Sequence, residues 1–336
     1  MKKVIVVFVL LALMVMGHVN RAYAVYVSYG GVNNFFLMGF TNTGYSSYDW
    51  RFEPLKTDKE RAMLKGDVKK VVTNITDKTE FCSGGYADKS IDTTYYDKAG
   101  HLTRIVAPFV DNPYSRVKLG PKKWIFVYSS DGLFTRYEEH EDVETSNGKE
   151  GRAHIYFMRR DNKNQLAKEE YRAFSITGRD KWEEFGTPQF WEFAYDAAGN
   201  LVGGKSSFDM TLTYKNGQLI KMQPQDSSKP VTYTYDTQGR MTGMTYFMMD
   251  GMDEVENFEI TVTMTYNEKG YLSGATRQLW LCTSKWVRRK VVDKTVYTIT
   301  YQYDQVGNWT KATMYKKQGA TPRQLAVTIN RAITYF

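Results

Sequence analysis

The sequence has few of the residues that most often carry chemistry or bind metals. It contains two Cys, four His and eight Pro in 336 residues. So few His and Cys residues leave little material for a zinc-type cluster or a Cys–His nucleophile pair. No block of five or more Lys or Arg residues occurs either, which argues against a dedicated nucleic-acid surface. We therefore expect no cofactor, no metal, no nucleic-acid partner and no enzymatic activity.

Long hydrophobic runs are also missing, except for one at the amino terminus. Met1–Lys3 is a short basic start, Val4–Gly17 is apolar throughout, and Ala22–Ala24 supplies a small-x-small cleavage site. This order is typical of a secretory signal peptide, which we predict over residues 1–24. Its removal takes away three basic residues and no acidic one, which lowers the formal charge from +8 to +5. We expect an exported protein, periplasmic or extracellular, with no membrane-spanning segment after cleavage.

The two cysteines bear on both anchoring and cross-linking. A bacterial lipoprotein needs a Cys at the cleavage point, and none precedes Cys82, so we predict no lipid anchor. Because an exported chain enters an oxidising compartment, one disulfide between Cys82 and Cys282 is allowed. Two buried free thiols are the alternative.

One pattern, Tyr-Asp/Asn-x-x-Gly-x-hydrophobic, recurs along the chain. The sequence is rich in Tyr (25), Gly (26) and Thr, a mixture that favours strands joined by glycine turns. The Asp or Asn accepts a backbone hydrogen bond within the turn, and the Gly three residues later adopts a positive φ. Each copy therefore predicts the tip of a β-hairpin. The five copies are Tyr96, Asp97 and Gly100; Tyr195, Asp196 and Gly199; Tyr235, Asp236 and Gly239; Tyr266, Asn267 and Gly270; and Tyr303, Asp304 and Gly307.

The strands that lead into these tips alternate between apolar and polar residues. Ile260, Val262, Met264 and Tyr266 fall on one face of such a strand, and threonines fall on the other. This alternation places the Tyr of the motif on the apolar face, packed against neighbouring hairpins, with its hydroxyl at the rim. Counting from the tips predicts roughly sixteen to eighteen strands.

Three regions follow from these signals. Residues 1–24 are the signal peptide, residues 25–65 form an amino-terminal arm, and residues 66–336 form one continuous domain of β-hairpins. Thr57–Glu60 has the sequence of a capping box, which predicts one short helix near residues 57–64.

The five copies of the motif resemble the YD-repeat, or Rhs-like, family. The resemblance covers roughly residues 66–336, and the copy that ends in Gly307–Thr310 is the closest match. It implies an all-β fold, an extended antiparallel β-meander of hairpins whose sheet curls or spirals. The chain has too few hairpins to close a large toxin-enclosing shell, so it is similar to small exported bacterial members.

Two local patterns suggest binding sites but have ordinary explanations. Gly199–Ser206 matches the letters of a phosphate-binding loop, yet Gly199 is a hairpin turn and strand-like residues follow where a helix is required. The acidic run Glu138–Glu144 could hold Ca²⁺ through carboxylate oxygens, but it lacks the glycine spacing of a calcium loop. We expect this acidic run to be a solvated loop.

The function that fits these observations best is non-enzymatic. We expect a structural or binding role at the bacterial envelope, with a glycan, an envelope component or a protein as ligand. A glycan hydrolase is the alternative, with paired carboxylates on the sheet and sugar-stacking aromatics; the candidate aromatics are Trp182, Trp191, Trp280 and Trp286. An outer-membrane barrel is less favoured, because Thr334, Ala332 and Asn330 do not give the terminal strand an apolar face.

Overall fold

The computed structural model describes residues 63–77, 89–107, 118–145, 148–177, 181–206, 210–224, 229–250, 256–283 and 285–336. Every regular element in these ranges is a β-strand. The strands are β1 (Val68–Asp77), β2 (Lys89–Tyr96), β3 (Leu102–Ala107), β4 (Lys118–Tyr128), β5 (Phe134–Thr145), β6 (Gly148–Arg160), β7 (Leu166–Thr177), β8 (Lys181–Tyr195), β9 (Leu201–Ser206), β10 (Met210–Lys215), β11 (Gln218–Pro224), β12 (Val231–Tyr235), β13 (Met241–Asp250), β14 (Glu256–Tyr266), β15 (Leu272–Cys282), β16 (Arg288–Tyr303), β17 (Trp309–Gln318) and β18 (Gln324–Tyr335).

The strands form one closed barrel. Each strand pairs antiparallel with the strand before it and the strand after it, and β1 also pairs with β18, so the 18-stranded sheet has no first or last edge. The closing ladder runs from Val68 opposite Tyr335 to Asp77 opposite Val327. The all-β class and the antiparallel meander are therefore confirmed.

The prediction of a curled or spiral sheet is wrong, because the sheet closes into a barrel. An open sheet would leave the outer backbone edges of β1 and β18 without partners and would expose its apolar face. Closure pairs those edges and turns the apolar face inward on all sides. A closed barrel therefore lets one continuous meander both pair its outer strand edges and bury its apolar face.

The short helix predicted near residues 57–64 lies almost entirely outside the described residues. Only Met63 and Leu64 of that segment belong to the described residues, and neither is helical. The rest of the segment, the signal peptide and Cys82 lie outside the described residues. No helix in the described ranges has the length and apolar character that crossing a bilayer requires.

Alternation sorts the side chains of each strand into an inner and an outer face. In β14, Ile260, Val262 and Met264 are buried, whereas Thr263 and Thr265 on the opposite face are exposed. The buried residues of neighbouring strands join into a core that runs around the inside of the barrel. The inner face is thus the apolar one, and threonine and lysine cover much of the outer face.

Candidate functional site

The turns of the repeated motif lie at one end of the barrel, which we call the turn rim. At Asp236, the backbone N–H donates to the carbonyl of Arg240 (2.9 Å), and the N–H of Gly239 donates back to Asp236 (3.0 Å). Asp236 Oδ1 also accepts the N–H groups of Gln238 and Arg240, both at 2.9 Å. Gly239 has a φ of 81°, which explains why Gly occupies this position. The same backbone pattern occurs at residues 97–101, 196–200, 267–271 and 304–308, and in looser form at 129–133 and 161–165.

Five tyrosines near the turn rim connect their hairpins to the preceding ones. Their hydroxyls donate to the carbonyl oxygen of a hydrophobic residue at or next to the start of the neighbouring strand. The pairs are Tyr128 with Leu102 (3.0 Å), Tyr195 with Leu166 (2.9 Å), Tyr235 with Leu219 (2.8 Å), Tyr266 with Met241 (2.6 Å) and Tyr301 with Leu272 (2.8 Å). Burial raises the pKa of Tyr235 and Tyr266, so both remain protonated donors.

In the last copy of the motif the tyrosine has a different role. Tyr303 accepts a hydrogen bond from Asn267 Nδ2 (3.3 Å), while Tyr301, two residues earlier on the same face, makes the bond to the preceding hairpin. The sequence motif therefore marks the turn correctly but does not always mark the connecting tyrosine.

The chain segment that precedes β1 is held at the turn rim by side chains of two hairpin tips. Asn308 is fully buried and exchanges two hydrogen bonds with the backbone of Lys65: Lys65 N donates to Oδ1 (2.6 Å), and Nδ2 donates to Lys65 O (2.9 Å). Tyr271 donates to the carbonyl of Met63 (3.1 Å). Residues 63–65 thus pack across two hairpin tips.

Further from the turn rim, the inner face of β4–β7 becomes polar. We call Lys122, Glu139, Glu141, His154 and Tyr171 the polar wall. Lys122 on β4 contacts Glu139, and its Nζ lies 3.0 Å from Glu141 Oε2. The register places these side chains side by side, because Lys122 lies opposite Glu141, and Glu139 lies opposite His154.

Aromatic rings continue the polar wall across β5–β7. His154 Nδ1 lies 2.6 Å from Tyr171 Oη, and the two rings stack with centroids 5.7 Å apart. Tyr137 and Tyr156 stack at 4.1 Å with nearly parallel planes. Together, the polar wall and the adjoining Tyr137–Tyr156 pair combine flat apolar ring faces with hydroxyl, imidazole, carboxylate and ammonium groups.

The charges of Glu139 and Glu141 raise the pKa values of Lys122 and Tyr171. Burial lowers the pKa of Lys122, but the neighbouring charges of Glu139 and Glu141 outweigh it, and the net effect is a raised pKa. Burial, with the same two carboxylates, raises the pKa of Tyr171 to about 12. At neutral pH, Lys122 is therefore an ammonium ion and Tyr171 a neutral hydroxyl group.

The polar wall shows what sequence reasoning missed. The expectation of a solvated loop over Glu138–Glu144 is wrong, because these residues belong to β5 and its ladder with β4 and β6. The alternation of Tyr137, Glu139 and Glu141 could have placed the two carboxylates on one face of a strand. Nothing in the sequence marks Lys122 as their partner, because that contact depends on the register of β4 against β5.

The other candidate residues are dispersed. Trp191 packs against the core, whereas Trp182 is 42% exposed. Trp280 carries the guanidinium of Arg288 over its ring, 4.8 Å from the centroid. Gly199 lies in a hairpin turn and residues 201–206 form β9, so the Gly199–Ser206 segment has strand and turn structure. No group of three His, Cys, Asp or Glu residues within the described ranges is arranged to hold a metal ion.

Cys282 ends β15 as a buried residue. Burial, together with the charge of Glu259, raises the pKa of its thiol, and its Sγ lies 3.7 Å from the carbonyl oxygen of Trp280. Because Cys82 lies outside the described residues, the disulfide with Cys282 stays a prediction.

Comparison with solved structures gives only distant similarities. A porin-like protein from Bacteroides uniformis is 11% identical, with 80% of this chain and 99% of that chain covered and a TM-score of 0.34. A porin-like protein from Bacteroides vulgatus gives the same identity and TM-score, with 80% and 98% covered. The TcdB2–TccC3–Cdc42 structure is 13% identical over 71% of this chain and 14% of that chain, with a TM-score of 0.26. Such TM-scores carry no argument about function.

Comparison with sequence families gives a clearer result. No curated protein matches the chain. The family model of the Teneurin YD-shell matches residues 189–325. This range contains four of the five predicted turns, from Asp196 to Asp304. The resemblance inferred from the turns is therefore confirmed over residues 189–325.

Proposed function

We propose that the protein is an exported, non-enzymatic β-repeat barrel that binds a glycan of the bacterial envelope on its polar wall. The observation that carries the proposal is the combination of stacked tyrosines with charged and hydroxyl groups on adjacent strands. Sugar rings have apolar faces that stack on aromatic rings, and their hydroxyls both donate and accept hydrogen bonds. A wall that offers both kinds of contact at fixed positions suits such a ligand.

The contact of one lysine with both glutamates favours binding over hydrolysis. A glycoside hydrolase needs one carboxylic acid that is protonated before it acts. The ammonium group of Lys122 contacts both Glu139 and Glu141, so the two carboxyl groups share one cation. This arrangement differs from that of a glycoside hydrolase, in which two carboxyl groups flank the scissile bond with separate roles.

The outer face of the barrel supports a location in the periplasm or outside the cell. The alternative of an outer-membrane barrel needs an apolar outer band, in which a Lys at the bilayer midplane costs about 2–4 kcal/mol. The outward residues of β16 include Lys294, Thr298 and Thr300, all of them exposed. These side chains are suited to contact with water.

A glycan array probed with mature protein, residues 25–336, tests the proposal. We expect binding to a subset of envelope glycans. Glu139→Gln, which removes a charge-assisted hydrogen-bond acceptor, should weaken binding at least about ten-fold. Tyr315→Phe changes a tyrosine of β17 whose ring contacts Arg323, 4.0 Å away, far along the sheet from the polar wall. This control should bind like the unmodified protein.

Two results would contradict the proposal. Equal binding by the Glu139→Gln variant and the unmodified protein would remove the polar wall from the binding site. Release of reducing sugar ends by the unmodified protein, abolished by Glu139→Gln, would establish the hydrolase instead.

A further inference from the structure

Two strands extend beyond their neighbours at the end of the barrel opposite the turn rim, which we call the loop rim. β8 pairs with β9 only from Trp191 onwards, so Lys181–Phe190 is bonded to β7 alone. β16 pairs with β17 only from Thr295 onwards, so the backbone of Arg288–Asp293 pairs in the sheet with β15 alone. No strand of the described ranges covers the second edge of either segment.

Exposed apolar side chains concentrate on these two edges. Ten large hydrophobic residues are exposed in the described ranges. Five of them lie in the first part of β8, in the turn before β16 or at the start of β16. They are Trp182, Phe185, Val287, Val291 and Val292. A free strand edge with apolar side chains is a template for pairing with another chain.

The two edges carry opposite charges. The start of β16 and the turn before it expose Lys285, Arg289 and Lys290. The edge of β8 exposes Glu183 and Glu184, whose partners within the chain are Lys181 at 2.7 Å and Arg172 at 3.5 Å. Exposed ion pairs of this kind contribute little to stability, so they exchange partners at little cost. Two basic edges repel each other, whereas a basic edge attracts an acidic one.

The topology allows the two edges to meet between copies of the chain. β8 and β16 both run from the loop rim towards the turn rim, and each free edge faces the next strand in the order. A second barrel can be inverted and placed with its loop rim against the loop rim of the first, an arrangement that we call mouth to mouth. The β8 edge of the second barrel then runs antiparallel to the β16 edge of the first, and the outer faces of both barrels still face outward. A two-fold axis makes this contact twice, once on each side of the mouth.

We propose that the protein forms a two-fold, mouth-to-mouth dimer in which the β8 edge Lys181–Phe185 of one copy pairs with the β16 edge Arg288–Val292 of the other. The dimer joins the loop rims of both barrels. The dimer depends on the edges at the loop rim and not on a ligand of the polar wall. Its test is therefore independent of the test of glycan binding.

Sedimentation-velocity ultracentrifugation of the mature protein and of two charge-reversed variants tests the dimer. The unmodified protein should be dimeric at micromolar concentration. Glu183→Lys/Glu184→Lys and Arg289→Glu/Lys290→Glu should each raise the dimer Kd at least ten-fold. A mixture of the two variants should restore a dimer, since reversed edges attract each other again. Far-UV circular dichroism checks that each variant keeps its β-sheet.

Charge reversals at the turn rim are the control. Glu268→Lys and Lys215→Glu change exposed residues at the other end of the barrel and should leave the dimer Kd unchanged. A monomeric unmodified protein, variants that dimerise as well as the unmodified protein, or a mixture that stays monomeric would each overturn the proposed pairing.

Discussion

Asn308 binds the backbone of Lys65 as a neighbouring strand would, with one hydrogen bond in each direction (2.6 and 2.9 Å). The two residues are separated by 243 positions in the chain. The amide of Asn308 also donates to Tyr335 Oη of β18 (2.8 Å). One side chain therefore links the segment before β1, the last tight turn and the final strand, at the point where the barrel closes.

Removal of this amide should release the segment before β1. Asn308→Ala removes three hydrogen bonds, two to the backbone of Lys65 and one to Tyr335, and we expect a loss of about 2–3 kcal/mol in the free energy of unfolding. Trypsin should then cleave after Lys65 at least about ten-fold faster, which gel electrophoresis with mass spectrometry measures. Asn200→Ala is the matched control, because Asn200 occupies the same motif position but is exposed and bonds only to Asp196. Equal cleavage in both variants would contradict the role of Asn308.

The tyrosine hydroxyls should contribute to stability one hairpin at a time. Tyr266→Phe keeps the ring but removes the 2.6 Å bond to the carbonyl of Met241, and we expect a loss of about 1 kcal/mol. Urea unfolding followed by fluorescence measures it. Tyr315→Phe on β17 is the control and should leave the midpoint unchanged. A similar loss in the control would show that the hydroxyl bond is not the cause.

The glycine of the motif should be required for its backbone conformation. Gly239 has a φ of 81°, so Gly239→Val should cost about 1–2 kcal/mol, since a β-branched residue is strained at positive φ. Asn164 occupies the same position in another turn with a φ of 64°, so Asn164→Gly should leave the melting temperature unchanged or raise it slightly. A melting temperature unaffected by Gly239→Val would contradict the turn geometry.

The turn carboxylates should make stability depend on pH in the acid range. Burial raises the pKa of Asp236, but the backbone N–H of Arg240 and its guanidinium, with the N–H of Gln238, outweigh it and lower the pKa below its ordinary value. A lowered folded pKa means that this stabilisation is fully present above the unfolded value of about 4 and is lost as the pH falls below it.

Asp236→Asn tests this dependence. The amide does not titrate, so the urea midpoint should fall less steeply between about pH 4 and pH 2 than in the unmodified protein. Asn267 is the natural precedent for an amide at this position, with its Oδ1 accepting the N–H of Tyr271 at 3.0 Å. Glu268→Gln, at an exposed turn residue, is the control. An identical slope in the Asp236→Asn variant would exclude Asp236 from the acid response.

Much of the local structure could be predicted from the sequence, because it depends on residues close together in the chain. Turn formation at Asp236–Gly239 needs only a side-chain acceptor and a residue that tolerates positive φ. The alternation from Ile260 to Tyr266 likewise predicts one buried face. The same rules did not predict that Glu139 and Glu141 lie on a strand. The many charges around them favoured the prediction of a loop, although their spacing is that of one face of a strand.

The sequence by itself determined the hairpins, their tight turns and the apolar face of the strands. Only the tertiary structure decided that the meander closes, that Lys122 contacts both Glu139 and Glu141, and that Asn308 binds Lys65. Closure depends on β1 meeting β18 across almost the whole chain, and each of these contacts depends on a register between strands. Local patterns favour the strands, but the need to pair every backbone edge and bury every apolar face decides how they are assembled.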